Sequence, residues 1–292
     1  MADQLPNVPE LLQTAVRSLG GAERTSQLTM ASAVAHSIDT GEHLAVQAGT
    51  GTGKSLAYLV PSLRHAVESG RTVVVSTATI ALQRQLVDRD LPRLADALKK
   101  PLGRRAEFAI LKGRNNYLCM NKIHTGASEQ PPEDELFDPF TVSRLGREVV
   151  RLTEWSSDTE TGDRDELVPG VSDQAWRQVS VTSRECIGKN QCPVGEDCFA
   201  ERARVEASKA DVVVTNHALL AIDAITGIQI LPDHDVVVID EAHELVDRVT
   251  GVATADLTAA SISAAARRCG KIAEEQDADR LEAAGEGWAG LL

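Results

Sequence analysis

Apolar positions along the chain follow two alternating periods. "ELLQTAVRSL" (10–19) has helical spacing and stops at Gly20-Gly21. A second helix is predicted over about 27–38, leading to a strand, "HLAVQA" (43–48). A Gly-rich turn and a helix, "KSLAYLVPSLRHAV" (54–67), follow. Next come a strand "TVVVST" (72–77), a helix "IALQRQLVD" (80–88) and a strand "EFAILK" (107–112). The pattern returns at "DVVVTN" (211–216), passes through a helix, "HALLAIDAI", and closes on "DVVVID" (235–240). Continuous β-branched runs separated by helices predict parallel strands buried on both faces, hence a doubly wound α/β sheet.

The pattern breaks between residues 112 and 207. "EQPPEDELFDPF" (129–140) reads as an acidic linker, and Val142, Leu145, Val149 and Leu152 mark one amphipathic helix. The expected organisation is a sheet domain over 1–111 and 208–250, an insertion over 112–207, and an Ala-rich helical segment over 251–292. Little apolar periodicity leaves the insertion short of the burial that offsets the entropy of ordering it.

Composition changes this picture modestly. The 292 residues can bury a sizeable core, and the 42% apolar fraction is ordinary for a globular protein. Aromatic residues are only 3%, so aliphatic side chains must fill most of the interior. The N-terminal stretch lacks the basic and apolar regions of a signal peptide, and no run is long enough to span a membrane. A cytoplasmic protein is expected. The net charge of −13 argues against adhesion of the whole surface to nucleic acid. Residues 99–122 nevertheless hold seven Lys/Arg and one Glu, a local strip able to meet phosphates or simply to face solvent.

Candidate chemistry begins at "AGTGTGKS" (48–55), between a predicted strand and a predicted helix. Gly49, Gly51 and Gly53 let the backbone curl around a phosphate, with Thr50 and Thr52 between them. Lys54 reaches the β- and γ-phosphates, and the Ser55 hydroxyl suits Mg²⁺. Ala48 stands where the usual motif opens with Gly. At 236–243, "VVVIDEAH" delivers Asp240 and Glu241 to the carboxyl edge of the sheet. Asp240 suits the Mg²⁺ shell, and Glu241 can orient or deprotonate an attacking water. ATP and Mg²⁺ are the expected ligands.

Four cysteines raise a second question. Cys186, Cys192 and Cys198 stand at intervals of six, and Cys119 lies upstream in "KGRNNYLC". A reducing compartment disfavours disulfides. The hydrophilic neighbours "GKNQ" and "VGED" do not suit core packing. A zinc site of four thiolates and an iron–sulfur cluster both remain open on spacing alone.

"AGTGTGKS", "DEAH" and the upstream "RTSQ" together resemble superfamily 2 helicases. With "KGRNNYLC", the three spaced cysteines, "VVVTNHALL" and "VVIDEAHEL" in that order, the chain resembles the iron–sulfur helicases of the DinG/XPD type over about residues 20–250. The resemblance implies a RecA-like P-loop motor domain carrying a 4Fe–4S insertion held by Cys119, Cys186, Cys192 and Cys198, then the start of a helical arch domain. Cys269 matches no ligand position. Binding of the cluster would become folding energy for the insertion. Gln27 would read the adenine edge, and His243 would couple phosphate chemistry to the sheet. Thr77, Thr79, Arg114 and Tyr117 would touch single-stranded or forked DNA, Tyr117 by base stacking. Without the resemblance, Thr77 and Thr79 read as helix caps.

The implied activity is ATP-dependent 5′ to 3′ DNA unwinding by a monomer, in repair or replication. No second motor-domain pattern follows residue 250, so slow hydrolysis is expected, an arginine finger being worth on the order of 10³–10⁵ in rate. The alternatives are a redox-sensing, ATP-binding single-stranded-DNA module that does not unwind, and a zinc-bearing P-loop ATPase.

Overall fold

The computed structural model describes residues 5–49, 51–126, 139–255, 257–269 and 275–289. They divide into two compact units, residues 1–246 and 247–292. The first opens with α1 (Val8–Ser18), α2 (Thr25–Thr40) and α3 (Lys54–Ser69), then β1 (Thr72–Thr77). α4 (Ile80–Arg84) runs through a π-helical turn into α5 (Leu91–Leu98), followed by β2 (Phe108–Ile110). The insertion contributes α6 (Met120–Thr125), α7 (Pro139–Trp155), α8 (Asp173–Val179) and α9 (Phe199–Ala207). β3 (Val212–Asn216), α10 (His217–Thr226) and β4 (His234–Ile239) complete the sheet. α11 (Leu245–Ala253) spans the division, and the second unit contains α12 (Ala259–Cys269) and α13 (Glu275–Ala289). Ala266 is buried in that unit, and a Cβ on Gly285 would stand 3.0 Å from Ile262 Cγ2, so α12 and α13 pack closely.

All four strands are parallel, in the order β2-β3-β1-β4. Val73–Val75 of β1 and Val212–Val214 of β3 are wholly buried, which explains why these valine runs lack alternation. Val73 and Val75 face a core built by α1, α2, α3 and α5, including Leu11, Leu59, Leu63 and Leu94. Val74 and Val213 face the opposite layer, with Ala207, Leu219 and Leu231.

One expected strand is absent from the sheet. Residues 43–48 make no strand pairing, and Leu44 and Val46 are 44% and 45% exposed. Their two large apolar groups share one face, whereas the valine runs present apolar groups to both. The valine runs of β1 and β3 take the central positions, where both faces are buried, and the third run, β4, lies at the edge with Val237 exposed.

The expectation of an insertion without an apolar core is overturned. Six of the chain's nine aromatic residues fall within 112–207. Tyr117, Leu118, Leu152, Leu167, Trp176, Val179 and Phe199 form a separate buried cluster. Leu145 and Val149 pack against it on the expected face of α7, while the Val142 side chain lies outside the described residues. Most of the acidic linker lies outside them too. The contributing residues sit on short segments that meet only in three dimensions, so no single window reveals them.

Polar anchors tie this cluster to the end of β2. Lys112 Nζ donates to Asp163 Oδ2 at 2.5 Å and to Asp165 Oδ2 at 2.7 Å. The lysine side chain is 3% exposed, and both carboxylates pair with it there. Backbone bonds from Leu118 N to Gly162 O (2.9 Å) and from Cys119 N to Val179 O (2.7 Å) add to this anchor. Trp176 Nε1 donates to the Asn115 carbonyl at 2.7 Å. Trp176→Ala is expected to cost about 3–5 kcal/mol. Hydrogen exchange should then show protection lost across the insertion while β1 and β3 keep theirs.

Candidate nucleotide and cysteine sites

The glycine-rich turn leads directly into α3. Gly51 and Gly53 have φ of 76° and 81°, a region side chains disfavour, and Gly53 caps α3 directly before Lys54. Thr52 Oγ1 donates to Gly49 O at 2.9 Å. Thr50 lies outside the described residues. Gln27, 6% exposed, donates from Nε2 to Gly53 O at 3.0 Å, and a Cβ on Gly53 would collide with that nitrogen. Arg24, which sequence reasoning missed, bonds the Gly51 carbonyl. Beside Gln27 a cavity of about 260 Å³ is lined by Leu12, Val16, Glu23 and Arg24, among others.

β4 carries Asp240 and Glu241 to the same end of the sheet. Asp240 N donates to Ser76 O at 2.9 Å, extending the β1–β4 ladder. Lys54 Nζ lies 2.6 Å from Glu241 Oε1. Glu241 N donates to Asp240 Oδ1 at 3.1 Å, and Tyr58 Oη donates to Asp240 Oδ2 at 3.1 Å. Tyr58 was not anticipated, although its place three residues after Ser55 on one helix face was a usable signal. Glu241 adopts φ 56°, a left-handed conformation unusual for a non-glycine residue. The exposed His243 has Nδ1 3.6 Å from Glu241 Oε2.

The Lys54 hydrogen bond holds the Glu241 carboxyl below its ordinary value, and the same bond raises Lys54. The pair's stabilisation is therefore present above the ordinary carboxylate value of 4.5 and is lost as pH falls through the lowered folded value. On the alkaline side it is present below 10.5 and lost as pH rises through the raised lysine value.

The four cysteines also come together. Cys119 precedes α6, Cys198 precedes α9, and Cys186 and Cys192 lie in turns between. All four are half-buried free thiols lining one cavity, with Arg114, Met120 and Val194 in its wall. Burial, outweighing nearby backbone N–H groups, pushes the Cys119 thiol up. Gly188 N–H donates to Cys186 Sγ at 3.4 Å. A Cβ on Gly195 would collide with the Lys189 carbonyl, so the turn closes tightly there. Among the described residues, no three His, Cys, Asp or Glu side chains are grouped to hold a single metal ion.

The proposed DNA contacts are placed differently. Thr77 is wholly buried, and its hydroxyl donates to Thr79 O at 3.4 Å. Thr79 caps α4, accepting from Leu82 N at 3.3 Å. Tyr117 is 3% exposed in the insertion core, which gives its ring a packing role and no open stacking face. Arg114 is paired with Glu201, and its charge faces Cys186 and Cys198. The basic strip is largely compensated, since Arg104, Arg105 and Lys112 also pair with carboxylates.

Comparison with known proteins adds the decisive observation. The DEAD/DEAH box helicase family description matches residues 29–126. The chain is 59% identical over 283 residues, 95% of its length, to the ATP-dependent helicase DinG of Mycobacterium tuberculosis H37Rv. The chain belongs to the DinG-type helicase family. Within that family it is also 40% identical over 233 residues to the ATP-dependent DNA helicase YoaA of Escherichia coli K12. It is 34% identical over 235 residues to the ATP-dependent DNA helicase DinG of the same strain. These matches cover 78% and 77% of this chain. The chain spans 43% of the length of the mycobacterial relative and 34% and 32% of the two E. coli relatives. Among the described residues, no helix is long and apolar enough to cross a membrane.

Glu241→Gln should lose stability at neutral pH, and its difference from the native chain should shrink as pH falls through the lowered Glu241 value. Urea midpoints measured across the acid range check this.

Proposed function

We propose that this chain is the first motor domain of a cytoplasmic ATP-dependent DNA helicase that moves 5′ to 3′ on single-stranded or forked DNA in repair or replication. The carrying observation is the meeting of Lys54 with Glu241, and of Tyr58 with Asp240, at the carboxyl edge of a parallel sheet. Lys54 exchanges Glu241 for the β- and γ-phosphates when ATP binds, and the released Glu241 then orients or deprotonates water. Ser55 and Asp240 would hold Mg²⁺, which neutralises developing phosphate charge when bound. Gln27 and its neighbouring cavity take the adenine, and His243 links Glu241 to motions of the sheet.

The cysteine cavity is suited to a 4Fe–4S cluster. Four free thiols face it, a backbone N–H already bonds one sulfur, and Arg114 opposes the negative charge such a centre carries. Cys119, Cys186, Cys192 and Cys198 would be its ligands. A bound cluster would fix residues 181–198, which otherwise hold mainly turns and one short 3₁₀ segment. DNA would pass near α4 and the insertion, reached by Thr79, while a second motor domain in the longer protein supplies the remaining catalytic groups.

Lys54→Ala should abolish nucleotide-dependent fluorescence changes and cut hydrolysis by about a hundredfold or more. The isolated chain should bind ATP yet turn it over slowly. DNA-stimulated turnover by this chain at the rate of its full-length relatives would contradict the need for a second motor domain. Anaerobic purification should yield brown protein with about four iron and four sulfide per chain. Cys192→Ser should lose iron and loosen residues 181–198 while the Leu152–Trp176 core and ATP binding survive. Iron-free, colourless protein with an ordered 181–198 segment would refute the cluster assignment.

A further inference from the structure

Tyr58 has no role in the sequence reading and none in the chemistry just described. Its ring is buried, 3% exposed, one turn after Ser55 on α3. The phenol donates to Asp240 Oδ2 at 3.1 Å and lies near enough to the Ser55 side chain to feel it. The other Asp240 oxygen accepts from Glu241 N. One hydroxyl thus adjoins both side chains assigned to the divalent cation, and the carboxylate is fixed at both oxygens.

We infer that Tyr58 is a positioning residue for the Mg²⁺ shell, its phenol holding Asp240 in place beside Ser55 before the metal arrives. This rests on the nucleotide-site reading above. A phenylalanine would fill the same volume, so packing alone does not explain the hydroxyl. Without it, Asp240 Oδ2 loses a fixed donor and the carboxylate is free to rotate away from Ser55.

The test is Mn²⁺ binding to the purified chain with a non-hydrolysable ATP analogue, read by electron paramagnetic resonance of free Mn²⁺. Tyr58→Phe and Ser55→Ala are compared with the native chain, along with metal-free analogue affinity and the thermal midpoint. Tyr58→Phe is expected to weaken Mn²⁺ binding about tenfold, as for loss of a hydrogen bond to a charged group. Metal-free analogue affinity and the thermal midpoint should hold. Native Mn²⁺ affinity in Tyr58→Phe, with Ser55→Ala weakened, overturns the inference and leaves the nucleotide site standing. Native Mn²⁺ affinity in Ser55→Ala overturns the site reading and the inference with it. A Tyr58→Phe chain that loses metal-free analogue binding and melts early makes Tyr58 structural and also overturns the inference.

Discussion

The ion pair between Lys54 and Glu241 joins side chains 187 positions apart, and the parallel pairing of β1 with β4 makes that contact possible. β1 runs in register with β4 from Val73↔Val236 to Ser76↔Ile239, and the Asp240 amide adds one more bond to Ser76. The carboxylates are thereby delivered to the sheet edge where α3 begins. The buried valines of β1 and β3 hold these two strands at the centre of the sheet, with an apolar layer on each side. Hydrophobic burial sets where the acids stand, and electrostatics only selects their partners.

The same sheet tolerates a large insertion because of where it enters. β2 is an edge strand, and the chain leaves it at Lys112 and returns through α9 to β3. Closure entropy grows only with the logarithm of loop length, so about a hundred inserted residues cost only about 2 kcal/mol more than ten. What the insertion requires is its own core and a fixed root. Trp176, Leu152 and Phe199 supply the core, and Lys112 with Asp163 and Asp165 supplies the root. A cluster on the four thiols would then organise a loop on an already folded platform, a smaller task than folding the whole insertion.

Legibility in the sequence followed how local each signal is. The valine runs, the glycine-rich turn and the acidic strand end are contiguous, so strands, phosphate loop and acids could all be read directly. The four cysteines were grouped by the resemblance, since their spacing alone left zinc and iron–sulfur both open. The insertion core escaped because Tyr117, Leu152 and Trp176 lie on separate short segments. Tyr117 and Arg114 have partners that the sequence did not reveal, for a related reason. An aromatic ring and a guanidinium beside a candidate site look like ligand contacts until burial and Glu201 claim them. Residues 43–48 show the opposite error, a strand-like hexapeptide with too little to bury.

Adjacent acids with different duties need a backbone that separates them. In an extended strand, neighbouring side chains point to opposite faces, so Asp240 and Glu241 could not both address the phosphate loop. The left-handed turn at Glu241 breaks that alternation and lets its carboxylate reach Lys54 while Asp240 meets Tyr58. A non-glycine residue in this conformation costs about 1–2 kcal/mol, and the charge-assisted bond to Lys54 is of the size needed to offset it. A phosphate that captures Lys54 removes that compensation, leaving Glu241 strained and without its lysine partner beside the bound nucleotide. On the proposed function, strain at this one residue would link nucleotide arrival to release of the group that acts on water.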